Sequence, residues 1–205
     1  MSSIALPLLD DTVRDGIRKV RLQRPLLSIV PDSAELFFRR AEPADAVAVH
    51  ALQHDFVERG LLLPRSLEQI YRTIRDYIVA VKDDRVVGCV ALRIYTSELA
   101  EVGALAVAEE LHGTGVGRRL VETVLHDACT LGLRRIFALT LQVGFFHRVG
   151  FRTTSIAEFP EKVAADCRAC ARRHACNEIA VEMALHGDLL SRPIESIEAF
   201  RSERG

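Results

Sequence analysis

From residue 36 the chain alternates between two hydrophobic rhythms. Leu36-Phe37-Phe38-Arg39-Arg40-Ala41 has the short apolar character of a strand, and Glu42-Pro43-Ala44-Asp45 opens a helix with proline in its first turn. Ala46, Val49, His50 and Phe56 carry that helix to Gly60. Ser66 and Gln69 then have capping-box spacing, which predicts a second helix through Ile74. Tyr77–Val81, Val86–Tyr95 and Ala100–Val107 read as three successive strands, with turns at Asp83-Asp84 and Thr96-Ser97-Glu98. The period changes again after Gly115: Val116, Leu120, Val121, Val124, Leu125 and Ala128 fall on one helical face, and Gly132 stands where a C-cap belongs. A buried strand at Arg134–Thr140, a short helix at Gly144–Val149 closed by Gly150, a strand at Phe151–Thr154 and a last strand at Glu178–Leu185 complete the pattern. Residues 160–176 are polar and cysteine-bearing.

The stretch that organises these elements is Leu105 to Leu120, an apolar strand end followed by a glycine loop and a helix. Gly113, Gly115 and Gly117 let the backbone take positive φ and let a ligand come close. The helix that follows presents unpaired N–H groups and the positive end of its dipole, so the junction is an anion site and phosphate is the expected guest. A Walker loop is excluded because no Gly-Lys-Ser/Thr is present, and the last glycine spacing is wrong for a dinucleotide loop.

Composition narrows the class. The 205 residues suit one domain with extensions: 1–34 as an N-terminal extension, 35–185 as the domain and 186–205 as a tail. A hydrophobic fraction of 49% supports a sizeable core, and a net charge of -1 favours neither nucleic acid nor a membrane surface as partner. No apolar run is long enough to span a bilayer and no signal-peptide pattern is present, so the five cysteines read as reduced thiols of a cytoplasmic protein. The extension is either an oligomer contact, as in a homodimer, or a disordered arm. Ile194, Ile197 and Phe200 of the tail are a weak amphipathic pattern.

His112 to Gly117 resembles the pyrophosphate loop of the Gcn5-related N-acetyltransferases, Arg/Gln-x-x-Gly-x-Gly/Ala, with histidine in the first position. The element order over residues 36–185 and Gly144-Phe145-Phe146-His147-Arg148-Val149-Gly150-Phe151 are similar to that family too. The resemblance implies an α/β (α+β) fold, a mixed and mostly antiparallel sheet flanked by helices. Leu63-Pro64-Arg65-Ser66, Glu101–Val107, Phe137–Thr140 and Phe159-Pro160-Glu161-Lys162 look more specifically like the acetyltransferase domain of bacterial N-acetylglutamate synthases. Asp166–Cys170 with Cys176-Asn177-Glu178 resembles the short members that lack an amino-acid-kinase domain.

That resemblance implies acetyl transfer from acetyl-CoA to the α-amine of L-glutamate, the first step of arginine biosynthesis, with acetyl-CoA as co-substrate and no metal. Leu105, Ala106, Val107, His112, Gly113, Thr114, Gly115, Val116, Gly117, Arg118 and Phe146 are its expected cofactor contacts. Backbone N–H groups of Leu105–Val107 would polarise the thioester carbonyl. An α-ammonium has a reference pKa near ~8, so a base or a water relay must free its lone pair. Glu101 is the candidate base, with His50, His54 and His147 behind it; the bland alternative is a solvated glutamate at a strand edge. Phe145 and Phe146 leave no tyrosine to protonate the leaving thiolate, which a thiol pKa near ~8.5 renders tolerable. For the carboxylates of an acidic amino acid, Arg65, Arg93, Arg172 and Arg173 are the candidate cations, with Leu63 and Ala104 beside the substrate.

Cys167, Cys170, His174 and Cys176 could in principle close a zinc site, but their spacing is tight, and reduced thiols beside the substrate loop are the preferred reading. Two other functions remain open: acetylation of another amine or a protein N-terminus, and a non-catalytic acyl-CoA sensor or zinc-bearing module.

Overall fold

The structure, a computed structural model, describes residues 36–185. The expected extension and tail lie outside the described residues. Seven strands form one sheet in the order β1-β2-β3-β4-β5-β7-β6. They are β1 (Leu36–Arg40), β2 (Tyr77–Lys82), β3 (Arg85–Ile94), β4 (Leu99–Val107), β5 (Arg135–Thr140), β6 (Arg152–Thr154) and β7 (Ile179–Ala184). Every neighbouring pair is antiparallel except β4 with β5. The helices are α1 (Ala46–Glu58), α2 (Leu67–Arg72), α3 (Val116–Thr130), α4 (Val143–Val149) and α5 (Pro160–Ala165).

Strand alternation assigns the two faces of the sheet. Ile78, Ala80, Val90, Leu92, Ala100 and Val102 pack with Leu120, Val121, Val124 and Leu125, the face of α3 that the sequence period marks. Tyr77, Val79, Cys89 and Ala91 face the other way, onto Val49 of α1 and Ile70 of α2. Phe137 continues that second face and stacks on Phe159 with centroids 4.1 Å apart, which seats α5 over β5. α5 starts at Pro160, where a missing N–H costs nothing.

The local signals explain most boundaries. Asp83 and Asp84 both take positive φ, the geometry of a tight two-residue hairpin turn between the paired Lys82 and Arg85. Ser66 and Gln69 form the reciprocal capping box at the start of α2. That helix is shorter than its sequence suggests: the Thr73 hydroxyl bonds back to the Gln69 carbonyl, and a 3-10 turn at Ile74–Asp76 delivers Tyr77 into β2.

β4 carries the feature that makes a site. Its register with β3 shifts between Cys89↔Ala106 and Ala91↔Gly103, so one residue of β3 faces two of β4, and Ala104 sits in this bulge at φ 52°. Its pairing with β5 covers only Leu99, Ala100 and Glu101. Past Glu101 the two strands part, and a cleft opens between them.

Candidate active site

The cleft is a cavity of about 630 Å³. β4 contributes Val102 to Leu105 and Val107, the β5 end contributes Leu139 and Thr140, and Phe145 and Phe146 of α4 close the far wall. Leu111, His112, Gly113, Gly115, Gly117 and Arg118 form one end. Gly113 at φ 75° and Gly115 at φ 92° hold the loop in the left-handed region, which glycine enters at no steric cost. Gly115 is the N-cap of α3, whose first turn has no acidic side chain to compete with an anion. Loop and helix end together can cradle phosphate through backbone N–H groups.

Of the expected cofactor residues, Leu105, Val107, His112, Gly113, Gly115, Gly117, Arg118 and Phe146 line this cavity. Ala106 and Val116 are buried in the packing on opposite faces of the sheet. Thr114 donates its hydroxyl to the Leu111 carbonyl at 2.7 Å. Those three can serve the cradle only through main chain. His112 has a job of its own: Nε2 lies 2.8 Å from the Val107 carbonyl, so the protonated nitrogen ties the loop to the end of β4. Arg118 pairs with Glu122 at 2.7 Å on the exposed flank of α3.

One pleat before Gly103, Glu101 is 4% exposed and held by several donors. Lys162 Nζ is 2.9 Å from both of its oxygens. Tyr95 Oη is 2.9 Å from Oε2, and Arg93, directly across the β3–β4 ladder, approaches Oε2 at 3.5 Å. Lys162 also reaches Asp166 at 2.9 Å, and Tyr95 Oη lies 2.5 Å from the same Asp166 oxygen. A phenol has one proton, so it donates to one carboxylate at a time while the ammonium serves both. A buried carboxylate needs such partners, and removing one member of a buried pair costs about 3–5 kcal/mol. Asp166 is pulled up by its burial, but bonds from Tyr95 and Lys162 hold it below the ordinary carboxylate range. Burial first, then the Glu101 and Asp166 charges, push the Tyr95 phenol strongly up, so it stays a donor.

The arginines separate. Arg65 is half-buried, and burial followed by the neighbouring Arg93 cation pulls it below the ordinary guanidinium range. Among the described residues it makes no hydrogen bond or ion pair. Arg93 leans over Gly103, where a Cβ would meet its guanidinium at 3.2 Å, so a larger residue there would push the guanidinium aside by a few tenths of an ångström. Arg172 donates to the Gly60 carbonyl at 2.8 Å and, with Leu63, Cys170 and Glu178, lines a small recess beside the cavity. Arg173 points elsewhere, to His174 and the Arg168 carbonyl on the exposed surface, so the structure does not place its side chain with the others. Glu101, Arg65 and Arg93 do not line the large cavity; they sit beyond Gly103 on the same face of the sheet. Glu178 stands at the rim, where desolvation and then the Glu101 charge push its carboxyl up.

The sequence offered partial signals for the residues it did not single out. Lys162 and Asp166 stand four apart on the α5 segment, a pairing distance on one helix face. Tyr95 had no local mark. Neither did Gln53, whose amide reaches Tyr77 Oη at 3.4 Å and the Cys89 sulfur at 3.6 Å beneath the bulge. Thr140 Oγ1 accepts the Gln142 N–H at 2.8 Å at the end of β5. Among the described residues no group of His, Cys, Asp and Glu is gathered to hold a metal, and Cys167, Cys170 and Cys176 are free thiols. Nor is any described helix long and apolar enough to cross a membrane.

Comparison with known proteins agrees with this geometry. The model of the acetyltransferase (GNAT) family matches residues 46–151. An uncharacterized N-acetyltransferase of Chlorobaculum tepidum is 40% identical over 149 residues, which cover 73% of this chain and 96% of that protein. An amino-acid acetyltransferase of Neisseria meningitidis is 31% identical over 145 residues, 70% of this chain; the match spans only 33% of that protein's length. The structure of N-acetylglutamate synthase from Neisseria gonorrhoeae with coenzyme A and N-acetyl-glutamate superposes with a TM-score of 0.68 at 29% identity, covering 75% of this chain and 36% of that one. The splayed β4–β5 pair, the positive-φ glycine loop and these matches lead to one conclusion: the chain belongs to the GNAT acetyltransferase family, whose co-substrate is acetyl-CoA.

Proposed function

We propose that the protein transfers the acetyl group of acetyl-CoA to the α-amine of L-glutamate, giving N-acetyl-L-glutamate, the first step of arginine biosynthesis in the cytoplasm. One observation carries the choice of acceptor. Arg65 is a half-buried guanidinium beside the Arg93 cation on the face that holds Glu101; it feels the Glu101, Asp166 and Asp76 charges but, among the described residues, has no hydrogen bond or ion pair with any of them. A carboxylate-bearing acceptor supplies the direct partner that Arg65 lacks, and a planar guanidinium takes it by two parallel hydrogen bonds. A cationic acceptor such as a polyamine would meet repulsion there.

In this reading the glycine loop and the N-terminus of α3 hold the donor's phosphates, with His112 keeping the loop against β4. Glu101 takes a proton from the incoming ammonium, directly or through one water, while the Arg93 guanidinium lies over Gly103 between Glu101 and the bulge. Arg172 and Leu63 border the acceptor recess, and Ala104 presents its backbone at the bulge. The likeness to an amino-acid acetyltransferase and to an N-acetylglutamate synthase supports the same acceptor.

The test is release of CoA from acetyl-CoA with each standard L-amino acid. Turnover confined to glutamate, with weaker glutamine or aspartate at most, is the expected outcome. Donor binding without acetylation of any amino acid would remove glutamate from consideration and favour a different amine or an acyl-CoA sensor.

A further inference from the structure

The base region contains one buried cation that neither donor nor acceptor binding needs. Lys162 is 7% exposed, and its ammonium is spent entirely on protein groups: both oxygens of Glu101 and one of Asp166, each at 2.9 Å. α5 is too short to hold such a residue by its own stability. It is seated by Phe159 on Phe137, while Asp166 grips the ammonium from the C-terminal end of the same segment. The Tyr95 ring lies alongside, with Lys162 Nζ 5.8 Å from its centroid.

We propose that Lys162 is a positioning residue for the base: its ammonium, bound to both oxygens, aims the Glu101 carboxylate toward Gly103, and Asp166 competes for the same ammonium. The inference rests on the reading of Glu101 as the base. The groups that face Glu101 come from every element packed on it: Arg93 from β3, Tyr95 just beyond it, Lys162 and Asp166 from α5 and its C-cap, Arg65 from the loop before α2, and Glu178 before β7. β5 offers Phe137, and its one charge, Arg135, lies over Phe159 and is paired with Glu182. Lys162 is the one cation of this set at hydrogen-bonding distance from both Glu101 oxygens, so deleting it leaves a buried carboxylate that lowers its energy by taking up a proton.

The arrangement predicts shifts of opposite sign. Lys162→Met removes the positive charge and moves the acid limb of the kcat/KM profile to higher pH, by about one unit, with an about tenfold loss near neutrality. Asp166→Asn removes the competing anion and moves the same limb to lower pH. Lys162→Arg restores the position of the limb at least in part. A merely structural lysine would lower stability in every variant without these signs.

The experiment uses the full chain labelled with δ-¹³C glutamate, with the Glu101 signal identified by its loss in Glu101→Gln. Its titration is followed by NMR in wild type, Lys162→Met, Lys162→Arg and Asp166→Asn, alongside pH profiles with the amine the wild type acetylates. Upward displacement in Lys162→Met and downward displacement in Asp166→Asn support the inference. Unchanged titration in the folded variants, or displacement of both in one direction, overturns it. If Lys162→Met fails to fold by circular dichroism, the direction seen in Asp166→Asn decides, supporting the inference when downward and overturning it otherwise. If the wild type leaves glutamate unacetylated, the acceptor assignment falls while the NMR titration still rules on Lys162.

Discussion

The glycine loop and the Glu101 cluster are served by the same strand, yet they are built from different materials. Beyond Val107 the site is main chain: two glycines at positive φ, the first turn of α3, and a histidine whose side chain braces the backbone. Around Glu101 it is side chain throughout, with Lys162, Asp166, Tyr95 and Arg93 brought from separate segments into one buried set. Backbone donors are the same whichever residue carries them, so the loop accepts histidine where its relatives' pattern has arginine or glutamine. A side-chain cluster has no such tolerance, because each charge is balanced by a named partner. The two regions therefore ought to fail separately, one in donor affinity and the other in rate and acceptor choice.

The largest expected effect lies on the side-chain half. Glu101→Gln keeps the shape but removes the proton acceptor, and a positioned base contributes about 10²–10⁴-fold. We expect kcat to fall within that range while calorimetry finds acetyl-CoA binding within about twofold of wild type. Equal losses in both would mean that the division between the regions is wrong.

Next comes Arg65→Ala. A hydrogen bond to a charged group contributes about 1.5–3 kcal/mol, which corresponds to roughly a ten- to hundredfold loss in kcat/KM for glutamate. The loss should fall mainly on the KM for glutamate, with the KM for acetyl-CoA unmoved. A variant that acetylates glutamate as well as wild type would place the acceptor's carboxylate elsewhere.

The two regions were also unequally legible in the sequence. The loop is contiguous, and its function follows from glycine spacing and a helical period within one stretch, so both could be read directly. The capping box at Ser66 and the turn at Asp83-Asp84 were legible for the same reason: each is a local conflict of backbone geometry with a local solution. The Glu101 cluster joins residues up to 71 apart, as Tyr95 and Asp166 show, and no window contains it. Glu101 and Arg65 received roles through the family pattern, whereas Lys162 lay in a family-like segment that carried no role until Phe159 was seen to seat its helix against Glu101. Arg172 and Arg173 show the converse: an adjacent arginine pair gives no hint that one side chain reaches the Gly60 carbonyl and the other His174.

On the main-chain half, Gly115→Ala is the sharpest probe. Gly115 sits at φ 92°, and forcing an L side chain into the left-handed region costs about 1–2 kcal/mol, so the loop relaxes away from its cradle. The KM for acetyl-CoA should rise about fivefold to thirtyfold, with the KM for glutamate unchanged at saturating donor. A shift in glutamate KM instead would show that the loop also shapes the acceptor side.

The smallest effect concerns what lies between the two regions. Under the bulge, the buried Cys89 thiol donates to the Ala104 carbonyl at 3.6 Å and accepts from the Gln53 amide, and burial pushes it up to about 12. Only the thiolate reacts with alkylating reagents, so a thiol raised this far stays inert in the folded protein at pH 8 while the exposed Cys176 is modified. Mass spectrometry after brief iodoacetamide treatment should find Cys176 labelled and Cys89 bare. The linkage has a definite sign. A group whose pKa is higher folded than unfolded lends stability that is complete below the unfolded value, near ~8.5, and is lost as pH rises towards the folded one. Wild type should therefore lose stability faster than Cys89→Ala between about pH 8.5 and 11, read from denaturation midpoints. Near neutrality the alanine variant should be less stable by about 1 kcal/mol and only a few-fold slower, since the main-chain ladder still holds the bulge. A larger loss of rate than of stability would make this sulfur, and not the ladder, the element that aims β4 at both of its ligands.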